Sequence, residues 1–112
     1  MESIRLKAVG GVLVVKVEGE LDHHWAKEVR RRVDDFIESV GIFRVVFDFS
    51  KLSFMDSSGV GILMGRYKKM NEQKGSVAIA CVNPAVDKLL NISGLKKILP
   101  VYGSLAEALN SN

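Results

Sequence analysis

The segment Asp56-Ser57-Ser58-Gly59 places a carboxylate beside two hydroxyl groups. Side chains of these types can cap a helix, act as nucleophiles or accept a phosphoryl group. The segment follows an apolar run at residues 44–49 and precedes a helix-patterned run at residues 62–72. In open α/β sheets, sites for phosphate and for partners form where a strand is followed by a helix N-terminus. The segment is therefore the first candidate for a functional site.

Helix capping explains one of these side chains, because Asp and Ser are both favoured at the N-cap, where they are worth about 1 kcal/mol. One cap leaves a second hydroxyl without a role. Nucleophilic catalysis is disfavoured, since the Gly-x-Ser-x-Gly elbow is absent around Ser57 and the only histidines are His23 and His24. A small serine hydrolase is therefore a minor alternative, and no catalytic residue is assigned.

Phosphorylation is the third chemistry, and Ser58 is its candidate. A phosphoryl group would bring a charge of about −1.5 to −2 into the first helical turn. Free N–H groups and the positive end of the helix dipole would stabilise it there, and Asp56 would oppose it. A partner packed against this helix end would lose a hydroxyl and meet a dianion. Binding can be switched in this way without a large conformational change.

Three glycines within one short run, Gly59, Gly61 and Gly65, need a reason, because each costs a helix interior about 1 kcal/mol relative to alanine. Close packing of the helix on the sheet is one explanation. Close approach of a partner backbone or a phosphate is the other, and each can apply to a different glycine. A P-loop is excluded, since no Gly-Lys-Ser/Thr sequence is present.

Asp22, His23 and His24 form a second polar group. A metal site is disfavoured, because adjacent histidines point in different directions and no Cys or His cluster completes a ligand set. The favoured interpretation is that Asp22 caps the first helix and that both histidines are exposed in its first turn. Partner contact is the second interpretation, and no metal is expected.

Composition narrows the class of protein. The 112 residues suffice for one domain, predicted to span residues 1–112. The net charge of +3 is small and no aromatic platform accompanies the cluster Arg30-Arg31-Arg32, so nucleic-acid binding is not expected. The single Cys81 is predicted to be a buried small hydrophobe. No signal-peptide pattern, apolar run of membrane-spanning length or nucleotide motif is present, which predicts a cytoplasmic protein without membrane partner or cofactor.

The strands that would position these residues are marked by apolar patterns. Residues 3–9 and 12–18 alternate as a β-hairpin, and residues 19–24 are predicted to be a loop. Residues 42–49 and 77–82 are continuously apolar, as buried strands are. A last short strand is predicted at residues 98–101.

The helices are marked by their caps and apolar faces. The second follows the Asp-Ser-Ser segment and is predicted to end near Gly75. Asn83-Pro84 predicts the N-cap and first position of a third helix, and Ser104-Leu105-Ala106-Glu107 is a capping box that opens a fourth. The first is predicted to end at Gly41, with an apolar face made of Ala26, Val29, Val33, Phe36, Ile37 and Val40.

The resulting order, β-β-α-β-α-β-α-β-α, predicts a single α/β domain with a mixed, mostly parallel sheet, an N-terminal β-hairpin and about four helices. Parallel neighbours end at the same edge of a sheet. If the strands ending at Glu18 and Phe49 are close neighbours, residues 20–24 approach Asp56-Ser57-Ser58. The site is then a surface composed of two segments.

Several segments together resemble the anti-sigma factor antagonists, which are single STAS-domain proteins. The resemblance is greatest to the antagonist of the sporulation sigma-F pathway, and a general stress-response antagonist is the alternative. The segments that carry it are Gly19-Glu20-Leu21-Asp22-His23-His24, then Leu52-Ser53-Phe54-Met55-Asp56-Ser57-Ser58-Gly59 with Gly61 and Gly65-Arg66-Tyr67-Lys68, and Pro84-Ala85-Val86 with Ser93-Gly94-Leu95.

This resemblance implies a STAS fold and a partner-switching function. In the family, the unphosphorylated antagonist binds an anti-sigma factor that is also a serine kinase and so releases the sigma factor. The kinase phosphorylates the second serine of the motif, here Ser58, and a PP2C-type phosphatase resets it. The residues expected to bind the partner or shape the loop are Asp22, His23, Asp56, Ser57, Gly59 and Gly61. A nucleotide-sensing STAS module is a further minor alternative.

Trp25 departs from the family's pattern, which predicts a small or polar residue after His24. An exposed tryptophan at this position would mark a contact surface. A buried one would pack against the first helix or the edge of the core.

Overall fold

The computed structural model of the protein describes residues 1–39 and 41–111, which contain six strands and four α-helices. The strands are β1 (Ser3–Val9), β2 (Val12–Leu21), β3 (Arg44–Asp48), β4 (Leu52–Met55), β5 (Ser76–Ala80) and β6 (Val101–Tyr102). The helices are α1 (His23–Ser39), α2 (Ser57–Glu72), α3 (Pro84–Ile92) and α4 (Leu105–Asn110), and a 3₁₀ turn covers Leu95–Lys97. None of these helices is both long and apolar enough to cross a membrane.

The strands form one mixed sheet in the order β1-β2-β3-β5-β6, with β4 paired to β2 outside this path. β1 and β2 are antiparallel, joined by Gly10 and Gly11 at φ values of 59° and 80°. Such positive φ angles are what a two-residue hairpin turn requires. The pairs β2·β3, β2·β4, β3·β5 and β5·β6 are all parallel. The predicted fold class is therefore confirmed.

Helices cover both faces of the central strands. On β3, Val45 and Phe47 contribute to the large core beneath α1, α2 and α3, whereas Val46 belongs to a smaller cluster with Ala108 of α4. All three β3 side chains are fully buried. Burial on both faces explains why this strand is continuously apolar instead of alternating.

The predicted apolar face of α1 lies on the core. Val29, Val33 and Ile37 are buried, and Ala26 and Phe36 pack against them with partial exposure. Val40, the last predicted member of the face, lies outside the described residues. The helix ends of α3 and α4 also follow their sequence signals, since Asn83 and Ser104 accept hydrogen bonds from the backbone N–H groups of residues 86 and 107.

The prediction of a loop at residues 19–24 is wrong. β2 continues to Leu21, which is fully buried, and α1 begins at His23. Gly19 adopts a φ of 93°, and the register with the neighbouring strand shifts between Gly19 and Glu20. This irregularity lets β2 leave β3 and continue its ladder with β4, a strand that the predicted order omits.

Two predictions near the C-terminal half also differ from the structure. β5 ends at Ala80, and Cys81 is partly exposed, with a φ of 65° and its Sγ 3.7 Å from the Gly103 carbonyl oxygen. Most of the strand predicted at residues 98–101 is absent: a 3₁₀ turn precedes this segment, and within it only Val101 belongs to a strand, β6 (Val101–Tyr102). Leu95 and Leu99 are both buried, so this segment turns to pack apolar side chains into the core.

Candidate functional site

The parallel pairing of β2 with β4 brings the two predicted segments together. Leu21 and Met55 are register partners at the ends of these strands, and the Asp56 N–H donates to the Leu21 carbonyl at 3.3 Å. We call the surface formed by residues 22–24 and 56–59 the rim. The sequence placed these segments at one edge, and the structure agrees, although the strand next to β2 there is β4.

Asp56 joins the two halves of the rim. Its Oδ1 accepts the Ser58 N–H at 2.8 Å, which makes Asp56 the N-cap of α2, and its Oδ2 accepts the His23 N–H at 3.1 Å. The His23 Nδ1 lies 3.8 Å from the same Oδ2. One carboxylate therefore satisfies backbone donors at the start of both α1 and α2.

The hydrogen bonds to Asp56 also set its ionisation. Partial desolvation by itself would raise the pKa of this carboxyl. Hydrogen bonds from the Ser58 and His23 backbones, with smaller contributions from the Ser58 side chain and the Gly59 backbone, outweigh it and hold the pKa below its usual value. Asp56 is thus held as a carboxylate at neutral pH, which keeps a negative charge beside Ser58.

Asp22 caps α1, as the sequence predicts. Its Oδ1 accepts the N–H groups of His24 and Trp25 at 3.0 and 3.3 Å. His23 and His24 are exposed in the first turn, as predicted, and Trp25 is half-buried. Within residues 1–39 and 41–111, no group of three or more His, Cys, Asp or Glu side chains is arranged to hold a metal ion.

The two serines occupy different environments in the first turn of α2. Ser57 is exposed, whereas Ser58 is half-buried and lines a groove between α1 and α2. In the part of the chain that the structure describes, neither histidine ring hydrogen-bonds a serine hydroxyl. The nucleophile–base pair that a serine hydrolase needs is therefore not formed among these residues.

The three glycines of α2 fall into two groups. A Cβ at Gly59 would overlap the buried Met55 side chain and lie 3.3 Å from the Leu21 carbonyl oxygen. Packing of α2 against the ends of β2 and β4 therefore explains this glycine. A Cβ at Gly61 or Gly65 would meet nothing within 4 Å, so packing explains neither of them.

The groove that Ser58 lines was not predicted from the sequence. This α1–α2 groove has a volume of about 440 Å³, and Ser58, Gly61 and Gly65 lie along it with Lys27, Arg30 and Arg66. The signal in the sequence was the spacing of three between Lys27 and Arg30, which puts both cations on one face of α1. Nothing local linked that face to Arg66 of α2.

The basic cluster on α1 is divided between different surroundings. Arg31 is exposed and pairs with Glu28 at 2.7 Å and with Asp35 at 3.5 Å. Asp34 instead turns to α2, where its Oδ1 lies 3.0 Å from the Arg66 Nε and 3.7 Å from the Lys69 Nζ. Arg31 therefore lies on a solvated face of α1, whereas Arg30 belongs to the α1–α2 groove.

The sequence matches known relatives over most of its length. The STAS domain family model matches residues 3–108. The chain is 46% identical over 99 residues to an anti-sigma F factor antagonist of Paenibacillus polymyxa, which covers 88% of this chain and 85% of that protein. It is 29% identical over 87 residues to an anti-sigma-B factor antagonist of Bacillus subtilis, covering 78% of each.

The fold matches a solved antagonist in two states. The unphosphorylated form of the anti-sigma factor antagonist SpoIIAA superposes with a TM-score of 0.86 at 30% identity, covering 96% of this chain and 94% of that one. The phosphorylated form of SpoIIAA from Bacillus gives a TM-score of 0.77 at 29% identity, covering 96% and 97%. The chain therefore belongs to the anti-sigma factor antagonists, a family of regulatory, non-enzymatic STAS-domain proteins.

Proposed function

We propose that the unphosphorylated protein binds an anti-sigma factor that is also a serine kinase, and that phosphorylation of Ser58 ends this binding. A PP2C-type phosphatase would restore the active form. The observation that carries the proposal is the place of Ser58, half-buried in the first turn of α2 and beside the capping carboxylate of Asp56. A relative with the same fold, SpoIIAA, exists in a phosphorylated form, which supports the same chemistry here.

The geometry supports a switch that acts at the surface. The kinase would transfer the γ-phosphoryl group of ATP to the Ser58 Oγ, with loss of the hydroxyl proton and release of ADP. The new dianion would lie at the positive end of the α2 dipole, which favours it, and next to Asp56, which opposes it. A partner seated on the rim would meet this charge directly, because Gly61 leaves the neighbouring helix surface open.

The first test is the site of modification. We expect incubation with an anti-sigma F kinase and ATP to add one phosphoryl group to the wild-type protein and to Ser57→Ala, and none to Ser58→Ala, as measured by peptide mass spectrometry. Ser57→Ala is the matched control, since it removes the neighbouring hydroxyl of the same turn. Full phosphorylation of Ser58→Ala would refute the assignment.

The second test is binding. We expect Ser58→Asp to weaken binding to the anti-sigma factor by about tenfold or more, since it places a charge in the interface and costs at least 1.4 kcal/mol. Calorimetry measures the affinity, and circular dichroism checks that the fold is unchanged. Ser57→Asp adds the same charge to the more exposed neighbour and should weaken binding less. Equal affinities of Ser58→Asp and wild type would rule out this mechanism.

The pathway is the finer part of the proposal. The greater identity to the sigma-F antagonist supports sporulation, and a general stress-response partner switch is the alternative. Parallel titrations with an anti-sigma F and an anti-sigma-B factor would distinguish the two pathways, because the protein is expected to bind the factor of its own pathway more tightly. We further propose that the protein acts in the cytoplasm, without a cofactor and without contacting nucleic acid or membrane itself.

A further inference from the structure

The α1–α2 groove carries more positive than negative charge. Lys27 and Arg30 are exposed on α1, and neither forms an ion pair with any residue that the structure describes. Arg66 adds a third cation from α2 and has Asp34 as its carboxylate partner. The groove therefore has cations that its own residues leave without a counter-charge, and it opens beside a hydroxyl, that of Ser58.

Arg66 is the buried cation of this groove. Its side chain is only 9% exposed, and its Nη1 has no hydrogen-bond partner among the described residues. A buried donor left without an acceptor is costly, and a charged one more so. Burial lowers the pKa of the Arg66 guanidinium, Asp34 opposes this, and the positive charge of Arg30 lowers it further. An anion in the groove would relieve the repulsion between the Arg30 and Arg66 guanidinium groups.

We propose that the α1–α2 groove is a phosphate-binding site and that its occupant is the phosphoryl group carried by Ser58. Arg30 and Lys27 would bind it, and Arg66, eight residues after Ser58 on α2, would add positive charge to the groove. This inference rests on the proposed function, because it takes phosphorylation of Ser58 as its starting point. It adds that the switch masks a basic surface of α1 as well as adding charge at the end of α2.

The surroundings direct the phosphoryl group towards the groove. On one side of Ser58, the Asp56 carboxylate accepts the Ser58 N–H and would repel a dianion. On the other side, the groove is lined by cations and by the open helix surface at Gly61 and Gly65. Arginine suits this role, since its planar guanidinium binds phosphate oxygens in pairs. The charged and titratable groups around the phosphoryl position are His23, Lys27, Arg30, Asp34, Asp56 and Arg66.

The test measures the second pKa of the phosphoryl group itself. Phosphoserine is incorporated at position 58 during translation, so no kinase is needed, and ³¹P NMR follows its titration. Nearby cations favour the dianion, so we expect this pKa to be lower in the wild-type protein than in Arg30→Gln by about half a unit or more. Arg31→Gln is the matched control, with the same charge change one residue along α1 and away from the groove. It should titrate like the wild type.

Two results would overturn the proposal. Identical titrations of wild type and Arg30→Gln would show that Arg30 does not bind the phosphoryl group, and equal shifts in both variants would reduce the effect to net charge. A further arm adds inorganic phosphate to the unphosphorylated protein. The contrary result is that free phosphate perturbs the Arg30 and Arg66 Nε signals while the second pKa of the phosphoserine is the same in wild type and Arg30→Gln. The groove would then bind phosphate from another source, and the proposed occupant would be wrong.

The two proposals fail separately. A kinase that does not modify Ser58 would refute the proposed function, and the ³¹P titration would still report on the groove because it needs no kinase. Conversely, if the groove does not bind the phosphoryl group, the proposed phosphorylation of Ser58 and the release of the partner are not refuted. Arg30 is exposed, so Arg30→Gln is expected to fold, which circular dichroism verifies.

Discussion

A single carboxylate, Asp56, satisfies the start of two helices. It accepts backbone N–H groups from Ser58 of α2 and from His23 of α1. We expect Asp56→Ala to lower the free energy of unfolding by about 1–2 kcal/mol, the upper part of the range for a lost N-cap, because two donors lose their acceptor. Asp56→Asn keeps a capping oxygen and should lose less. Urea denaturation at pH 7 measures both, and equal stabilities of Asp56→Ala and wild type would contradict the role.

The charge of Asp56 gives this contribution a pH dependence. Because the folded-state pKa lies below the unfolded value, ionised Asp56 stabilises the fold above the unfolded pKa, and this stabilisation is lost as the pH falls through the folded pKa. We therefore expect the stability difference between wild type and Asp56→Asn to be greatest near neutral pH and to shrink below about pH 4. Urea unfolding across this range tests it. A difference that is independent of pH would show that the charge contributes nothing.

Among the elements, α2 contains one tightly packed glycine, Gly59, and two glycines with open space around them, Gly61 and Gly65. We expect Gly61→Ala and Gly65→Ala to raise stability by up to about 1 kcal/mol each, since alanine is the better helix former and the added methyl groups meet nothing. Gly59→Ala should lower stability, because its methyl group overlaps Met55 and crowds the Leu21 carbonyl. Thermal unfolding of the three variants gives the comparison. A destabilised Gly61→Ala would mean that the groove is packed, contrary to the structure.

Elements governed by local chemistry were predictable from the sequence. The caps at Asp22, Asp56 and Asn83 involve neighbours two or three residues away. Residue types were therefore sufficient to predict Asp22 and Asn83 and to narrow the cap of α2 to Asp56 or Ser57. β4 was not predictable, because it has four residues, its middle pair Ser53 and Phe54 is exposed, and its pairing partner lies far back in the sequence. The extension of β2 past Gly19 depends on the same distant strand.

The candidate site likewise has one part that could be predicted from the sequence and one that could not. Its two segments could be predicted to meet on the condition that the strands ending at Glu18 and Phe49 are close neighbours, whereas the α1–α2 groove could not be predicted. The groove depends on the rotation of one helix against the other, which brings Arg30 and Arg66 to the same cavity. Helix packing of this kind is decided by side chains along both surfaces. The sequence pattern of either helix alone does not contain it.

At the scale of the whole molecule, the rim and the buried Arg44 lie at opposite ends of the strands. The rim follows the ends of β2 and β4, while Arg44 lies at the start of β3 and is 7% exposed. Its guanidinium donates to the Ala108 carbonyl at 2.7 Å and to the Ser76 Oγ at 3.1 Å, which ties α4 to the sheet. We therefore expect the stability that Arg44 provides and the proposed switch at Ser58 to be separable by mutation.

Replacing this anchor tests that separation. We expect Arg44→Leu to lower the free energy of unfolding by about 2 kcal/mol or more, since buried hydrogen bonds to a charged group are lost. Amide hydrogen exchange should show α4 losing protection first. Phosphorylation of the folded fraction at Ser58 should continue at the wild-type rate. The surface variant Arg31→Leu is the control and should change stability little. A large loss of phosphorylation in Arg44→Leu would show that the two edges are coupled.

Trp25 gives the rim an optical reporter. It is the one tryptophan of the chain and is half-buried in the first turn of α1. Its backbone N–H donates to the Asp22 Oδ1, and its ring lies edge-on to that of His24 at a centroid distance of 5.2 Å. Its fluorescence emission therefore comes from a single position beside the surface where the partner is proposed to dock. Changes in emission wavelength or quenching would follow complex formation in real time, with no dye attached to the protein.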